Sequence, residues 1–410
     1  MFIIFIAHVP WNWWTLWIPA RFGFSDATEM FVFCSGMASA LAFGKTFDVY
    51  GWGIGTARIV QRMWQVYWAF IGQFLIIAVG LVMLHNSGFL NDCCGLTQDY
   101  VNSLNLWHLF NKTEIALPGL MTMTWVPNYF DILPMYVVIL ALMPAIMLVA
   151  RYSVPGAFAL SIGLWLASQF GLLDLRAEPW LNSEGEHRKW FFNPFAWQLL
   201  FFTGFAFMRG WIPAPPVNRK LILLAIAIIL VSIPFAYFRV YGANHLDLVW
   251  AREVREAIRP LWVKTEFGIL RYIHFLALAY VAWVAAGEHG KYLLGHGALW
   301  GGFVRVVQKV GQQSLAVFMA SLVVAQTVAI LRDMAWARGE WWAQIFTNFG
   351  GFLALIAVAY VVSWYKSQPW RKPPSVSGPS AGNTPANPSK EGSAQTTERS
   401  ASDPKAPVLT

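Results

Sequence analysis

Charge is scarce in this chain. Asp, Glu, Lys and Arg make up 12% of its 410 residues, about half the roughly 25% of a typical soluble domain. No soluble stretch is long enough to build a core of its own, which excludes a set of water-soluble domains. Three cysteines exclude a disulfide framework. Cys34 lies inside an apolar run and reads as a small core residue. Cys93 and Cys94 are adjacent in a loop, where two thiols are expected over a bond between them. The N-terminus has no basic segment and no small-residue cleavage site, which excludes a secretory signal peptide. Gly51-Trp52-Gly53-Ile54-Gly55 has no strand before it, so it is not a dinucleotide loop. There is no internal repeat. The net charge of +8 is not a nucleic-acid signal, because the Lys and Arg residues lie in short loops between apolar runs, where they set orientation.

Apolar residues are abundant: 57% of the chain is hydrophobic, with 23 Trp, 31 Phe and 13 Tyr. The aromatics often flank apolar runs, as interfacial belts require. A helix needs about 20 apolar residues to span the hydrocarbon core. Candidate spans are 27–44, 60–84, 130–150, 154–173, 195–211, 220–238, 267–286, 313–331 and 345–365. The opening Met1–His8 segment reads as the outer half of a tenth. The expected fold is an all-α, polytopic integral membrane bundle of about ten transmembrane helices, the first truncated. Residues 1–368 form the membrane domain. Residues 369–410, rich in Pro, Ser and Ala, form a disordered tail. Lys45, Arg58, Arg62, Arg151, Arg209, Arg219, Lys220, Lys291, Arg305, Lys309 and Lys366 fall on one side if the spans alternate, which makes that side cytoplasmic and the tail with it. The longer loops 85–129, 174–194 and 239–266 then face outward.

With this topology, the ionisable residues in or beside the spans gather at the outer face. His8 ends the half-span. Asp26 and Glu29, three apart on one helix side, start the next. Asp131 opens another span, as does Arg271, with His274 one turn further in. Asn193 and Gln198 flank a further outer start. Such groups in lipid mark pathways or reaction centres by default. Each also has a plain reading: Asp26 and Glu29 as a capping box, Arg271 as a snorkelling anchor, the histidines as satisfied core residues. A His beside a carboxylate is an activated general base, but the same set serves a proton-coupled transporter. Trp11, Trp13, Trp14 and Trp17 at the outer face suit an interfacial belt. The small residues of Ser35-Gly36-Met37-Ala38-Ser39-Ala40 suit close helix packing.

Several stretches resemble the OpgC family, implicated in succinylating osmoregulated periplasmic glucans and part of the wider acyltransferase-3-like group. They are Phe5-Ile-Ala-His8-Val-Pro-Trp-Asn12, Phe22-Gly-Phe-Ser-Asp26-Ala-Thr-Glu29-Met-Phe-Val-Phe-Cys-Ser-Gly36, Asn128-Tyr-Phe-Asp131-Ile-Leu-Pro-Met-Tyr136, Asn193-Pro-Phe-Ala-Trp-Gln198, Leu270-Arg271-Tyr-Ile-His274-Phe-Leu-Ala-Leu-Ala-Tyr280 and Gly311-Gln-Gln-Ser314-Leu. The resemblance covers roughly 1–365. It implies about ten transmembrane helices in a bacterial inner membrane. It also implies transfer of succinyl, or another short acyl group, from cytoplasmic acyl-CoA to a periplasmic glucan hydroxyl. His8 maps to the catalytic histidine. The wider group has an Arg eleven positions before it, which here would precede Met1, so an upstream continuation of the gene is expected. Ala7 stands where many relatives have a polar residue.

The expected roles follow. His8 is the base, with Asp26 or Glu29 orienting or stabilising it. Asn12, Asp131, Arg271 and His274 bind substrate. Arg58 and Arg62, with Arg151 and Arg209 as further candidates, meet the donor's phosphates on the cytoplasmic side. Acyl-CoA, as succinyl-CoA, is a co-substrate; no bound cofactor or metal is expected. The partners are the glucan or another surface glycan, the bilayer and the glucan biosynthesis machinery, with no nucleic acid. Two other functions fit the same residues: a transporter or flippase using them as a relay, and an acyltransferase-like assembly partner without catalysis.

Overall fold

The computed structural model describes residues 1–371 except 97, 183, 243, 244, 295, 296 and 336–339. The expected tail therefore lies outside the described residues from 372 onward. The described residues are all-α. They contain no strand, only an isolated bridge between Arg176 and Lys189. The main helices are α1 (Phe2–His8), α2 (Ala27–Ser39), α3 (Lys45–Asn86), α4 (Ile132–Tyr152), α5 (Val154–Gln169), α6 (Pro194–Met208), α7 (Arg219–Ala236), α8 (Ile269–Ala286), α9 (Gly297–Gln312), α10 (Ser314–Ala335) and α11 (Trp341–Ser367). A π turn, Ala40–Gly44, joins α2 to α3.

This is a helical membrane protein. Among the described residues, six helical stretches are long and apolar enough to cross a bilayer. The first, Ala27–Asn86, holds two of the predicted spans. It breaks at Gly51, whose φ of 79° and ψ of 176° no helix contains. Beyond the break the chain comes back toward the His8 end, where Phe74 packs edge-on against Trp125 and Phe130 at 5.6 and 5.4 Å. Two helices are shorter than predicted. α5 has 16 residues and α6 has 15, a rise of roughly 22–24 Å against a core of about 30 Å. A side-chain cap starts each: Ser153 accepts from Gly156 N and Asn193 from Phe195 N, with Pro in the first turn.

Other expectations need correction. The stretch after α8 was expected as a cytoplasmic loop, yet it contains α9. Leu299, Trp300 and Phe303 leave its apolar side exposed, and Lys309 Nζ ties it to Ser363 Oγ of α11 at 3.0 Å. An apolar face opposite basic residues is the pattern of a helix lying in a membrane interface. The loop 85–129 carries four short helices. Cys93 and Cys94 are bonded to each other and are not two thiols; they close a six-residue helix that stops at Gly95, a glycine with φ 62°.

Glycine lets α2 and α6 touch. A Cβ on Gly36 would sit 2.0 Å from the Phe201 carbonyl oxygen, and one on Gly204 would sit 2.3 Å from that of Phe33. The small residues of α2 therefore do serve packing. α1 is held in a similar way: Phe5, fully buried, lies where a Cβ on Gly351 of α11 would be.

Candidate active site

Asp26 and Glu29 form the capping box of α2. Asp26 Oδ1 accepts from Thr28 N, and Glu29 Oε2 accepts from Asp26 N, both at 2.7 Å. The box is also half of an ion cluster. Arg271 of α8 donates from Nε to Glu29 Oε1 at 2.6 Å, and its Nη2 lies 3.3 Å from Asp26 Oδ2. Lys264, in the loop before α8, adds a 2.6 Å bond to the same Asp26 oxygen. Burial alone would raise the Asp26 carboxyl, but Lys264 and Arg271 outweigh it and hold it well below the usual carboxylate range. Beside this cluster, His274 Nδ1 meets Ser25 Oγ at 2.7 Å, and the His274 ring occupies the space a Cβ on Gly23 would need.

His8 stands apart from these bonds. No described residue hydrogen-bonds to it, and its Nδ1 is buried. Its ring meets the Tyr129 ring edge-on, 5.6 Å between centroids and at 90°. It lines a cavity of about 620 Å³ together with Arg21, Asp26, Asp131, Arg188 and Lys264. It also lines a second cavity of about 420 Å³, with Trp11, Trp13 and Tyr129. Both volumes fall in the range of small-molecule sites, about 300–1,000 Å³.

The sequence-predicted residues divide into two groups. His8, Asp26 and Asp131 face the charged cavity, and Asp131 Oδ1 has no partner among the described residues. Glu29, Arg271 and His274 are buried; Glu29 and Arg271 bond each other, and His274 bonds Ser25. Arg271 is no snorkelling anchor. Asn12 lines the smaller cavity, but its amide pairs reciprocally with Asn348 of α11 at 2.8 and 3.0 Å, and its Oδ1 also caps Trp14 N. Gln198 bonds Ser161 of α5, and Asn193 caps α6, so both serve packing.

Sequence reasoning missed Arg21, Tyr129, Arg188 and Lys264. Arg188 pairs with Glu178 at 3.0 Å, and Lys264 is bound to Asp26. The only sequence signal for Arg188 and Lys264 was mixed charge in the outer loops, and nothing in the spacing links 264 to 26.

A further cavity of about 350 Å³ opens at the other end of α2. Arg58, Arg62, Ser39 and Tyr136 line it. Arg58 Nη1 is held by Thr46 Oγ1 at 2.6 Å, and Arg62 Nη1 by Gln65 Oε1 at 3.2 Å. Arg209 is not available there, because both its terminal nitrogens pair with Asp48 at 2.8 Å. Arg151 is exposed at the end of α4 and lines none of these three cavities.

A bundle of apolar helices with a buried ion cluster and a histidine-lined cavity at one end defines a multi-pass membrane protein with a site built for polar chemistry. The family model described as OpgC protein matches residues 1–367, and the chain belongs to that family. Membership points to a glucan-modifying, acyltransferase-like function. No curated protein and no solved structure matches the chain.

Proposed function

We propose that the protein is a membrane O-acyltransferase that moves a short acyl group, succinyl or a similar one, from acyl-CoA to a hydroxyl of a periplasmic glucan. The observation that carries this reading is His8, which stands unbonded in the wall of a cavity lined by Arg21, Arg188 and Lys264. A neutral imidazole there accepts the acceptor's hydroxyl proton as its oxygen attacks the thioester carbonyl. The ester C–O bond forms, the C–S bond breaks, and the thiolate leaves with the proton His8 took up. Lys264, fixed by Asp26, and Arg188, fixed by Glu178, supply positive charge where the carbonyl oxygen turns negative. Glu29 and Arg271 brace Asp26 from behind.

The donor's place supports the same reading. The His8 cavity takes Asp26, Thr28 and Ile132 from the α2–α4 seam. The Arg58–Arg62 cavity takes Ser39 and Tyr136 from that seam. Thr28 and Ser39, which line the two cavities, are eleven residues apart on α2, a rise of roughly 16 Å. Acyl-CoA phosphates held by Arg58 and Arg62 would then leave the thioester end pointing along the seam toward His8. The basic loops support an orientation with Arg58 and the C-terminus cytoplasmic, and family membership supports the bacterial inner membrane as the location.

The test is mass spectrometry of periplasmic and surface glycans from a deletion strain complemented with the wild-type gene or with His8→Ala. We expect an acyl mass increment that wild type restores and His8→Ala does not. If the deletion changes no glycan mass, transfer is ruled out and transport through the same seam becomes the better account.

A further inference from the structure

The smaller cavity at the His8 end is uncharged. No Asp, Glu, Lys or Arg side chain lines it; Trp11, Trp13 and Tyr129 do, and His8 stands in the wall it shares with the charged cavity. The three aromatics are 66%, 47% and 49% exposed. Trp11 and Tyr129 also hold left-handed backbones, with φ of 55° and 71°. Bulky residues rarely adopt that region, and such conformations cluster at ligand sites. The wall is braced: Gln344 Oε1 accepts from Trp13 N at 3.2 Å, and the Asn12–Asn348 amide pair lies behind it.

An interfacial belt presents aromatics to headgroups along a convex rim. These three instead line a hollow that ends at a histidine. An aromatic face with no charge beside it suits the C–H face of a sugar ring, whose hydroxyls find partners at the rim. Trp17 supplies the contrast. It is 69% exposed and lines neither cavity.

We propose that Trp11, Trp13 and Tyr129 seat a neutral pyranose ring of the acceptor. The ring presents its hydroxyl to His8 from the uncharged side, while the charged cavity takes the acyl group. This assignment rests on the acyl-transfer reading of His8. It makes the smaller cavity the determinant of which sugar is modified.

The test needs no acyl donor. The full-length protein in lipid nanodiscs is titrated with a panel of neutral glucotetraoses of different linkage, and saturation-transfer NMR reads binding. At least one tetraose should bind saturably to wild type. Trp11→Ala and Trp13→Ala should each weaken it at least ten-fold, Trp11→Phe less, and Trp17→Ala not at all. Unfolding midpoints matching wild type confirm that the variants are folded, and Trp11→Phe covers a misfolded alanine variant. The seat is overturned if no tetraose binds wild type, or if folded Trp11 and Trp13 variants bind as wild type does. Acylation that persists in His8→Ala would instead sink the assignment of His8 as the base, whatever the sugar does.

Discussion

Arg271 and Glu29 lie on different helices and meet inside the protein, Nε to Oε1 at 2.6 Å. Their side chains are 7% and 0% exposed. The same carboxylate caps α2 through Oε2, so one residue starts a helix and ties it to α8. Removing one member of a buried pair strands the other's charge and costs about 3–5 kcal/mol, whereas replacing both with uncharged groups is often neutral. Arg271→Met should therefore lower the unfolding midpoint sharply, and Glu29→Gln with Arg271→Met should recover much of it. Equal midpoints for the single and double variants would show that the pair is not what holds α2 to α8.

Asp26 gives the cluster its acid dependence. Its folded carboxyl lies below the ordinary value because Lys264 and Arg271 outweigh burial. A depressed carboxylate stabilises fully above its unfolded pKa, about 3.9, and that contribution is lost as pH falls through the folded value. The stability gap between wild type and Asp26→Asn should be flat from about pH 8 to about pH 5 and shrink below about pH 4. Thermal unfolding across that range reads it, and a gap that widened on acidification would reverse the sign of the argument.

The α2–α6 contact depends on two glycines. Gly36 and Gly204 each face a backbone oxygen of the other helix at a distance no Cβ tolerates, and a carbonyl cannot swing aside as a side chain does. Gly36→Ala or Gly204→Ala should force the helices apart and cost about 1–3 kcal/mol. Gly53→Ala is the control. Nothing lies within 4 Å of its added Cβ, and replacing a helical glycine there should gain roughly 0.5–1 kcal/mol. Unfolding midpoints for the three variants decide it.

Most of this architecture was legible because lipid imposes it. Runs of apolar residues have few alternatives to helices in a bilayer, so seven predicted spans overlap the six long helical stretches. The Asp26–Glu29 spacing predicted the capping box and, on the other reading, a charged centre; both are present in the same atoms. What composition left unread was tertiary. The Lys264–Asp26 bond joins positions far apart in the chain through a loop whose path no periodicity encodes. The left-handed Tyr129 and Trp11 leave no trace in residue type. The amphipathic α9 is too polar to count as a span, and its signal is the apolar set Leu299, Trp300 and Phe303 set against Arg305 and Lys309.

The Arg58–Arg62 cavity predicts how donor and acceptor separate kinetically. Among the described residues Arg62 hydrogen-bonds Gln65, one turn along its own helix, so removing it breaks no hydrogen bond between described helices. Arg58 also holds Thr46 beside the π turn, so its loss would mix binding with local structure. Arg62→Gln is thus the cleaner variant. If the guanidinium meets a donor phosphate, it contributes equally to ground and transition states, and its loss raises KM with kcat unchanged. A charge-assisted bond of about 1.4 kcal/mol corresponds to a ten-fold change. Initial rates in proteoliposomes, with acyl-CoA varied on the Arg62 side, should show KM for the donor up about ten-fold and KM for the glucan unchanged. A fall in kcat alone would place Arg62 outside the donor site and leave it an anchor at the membrane surface.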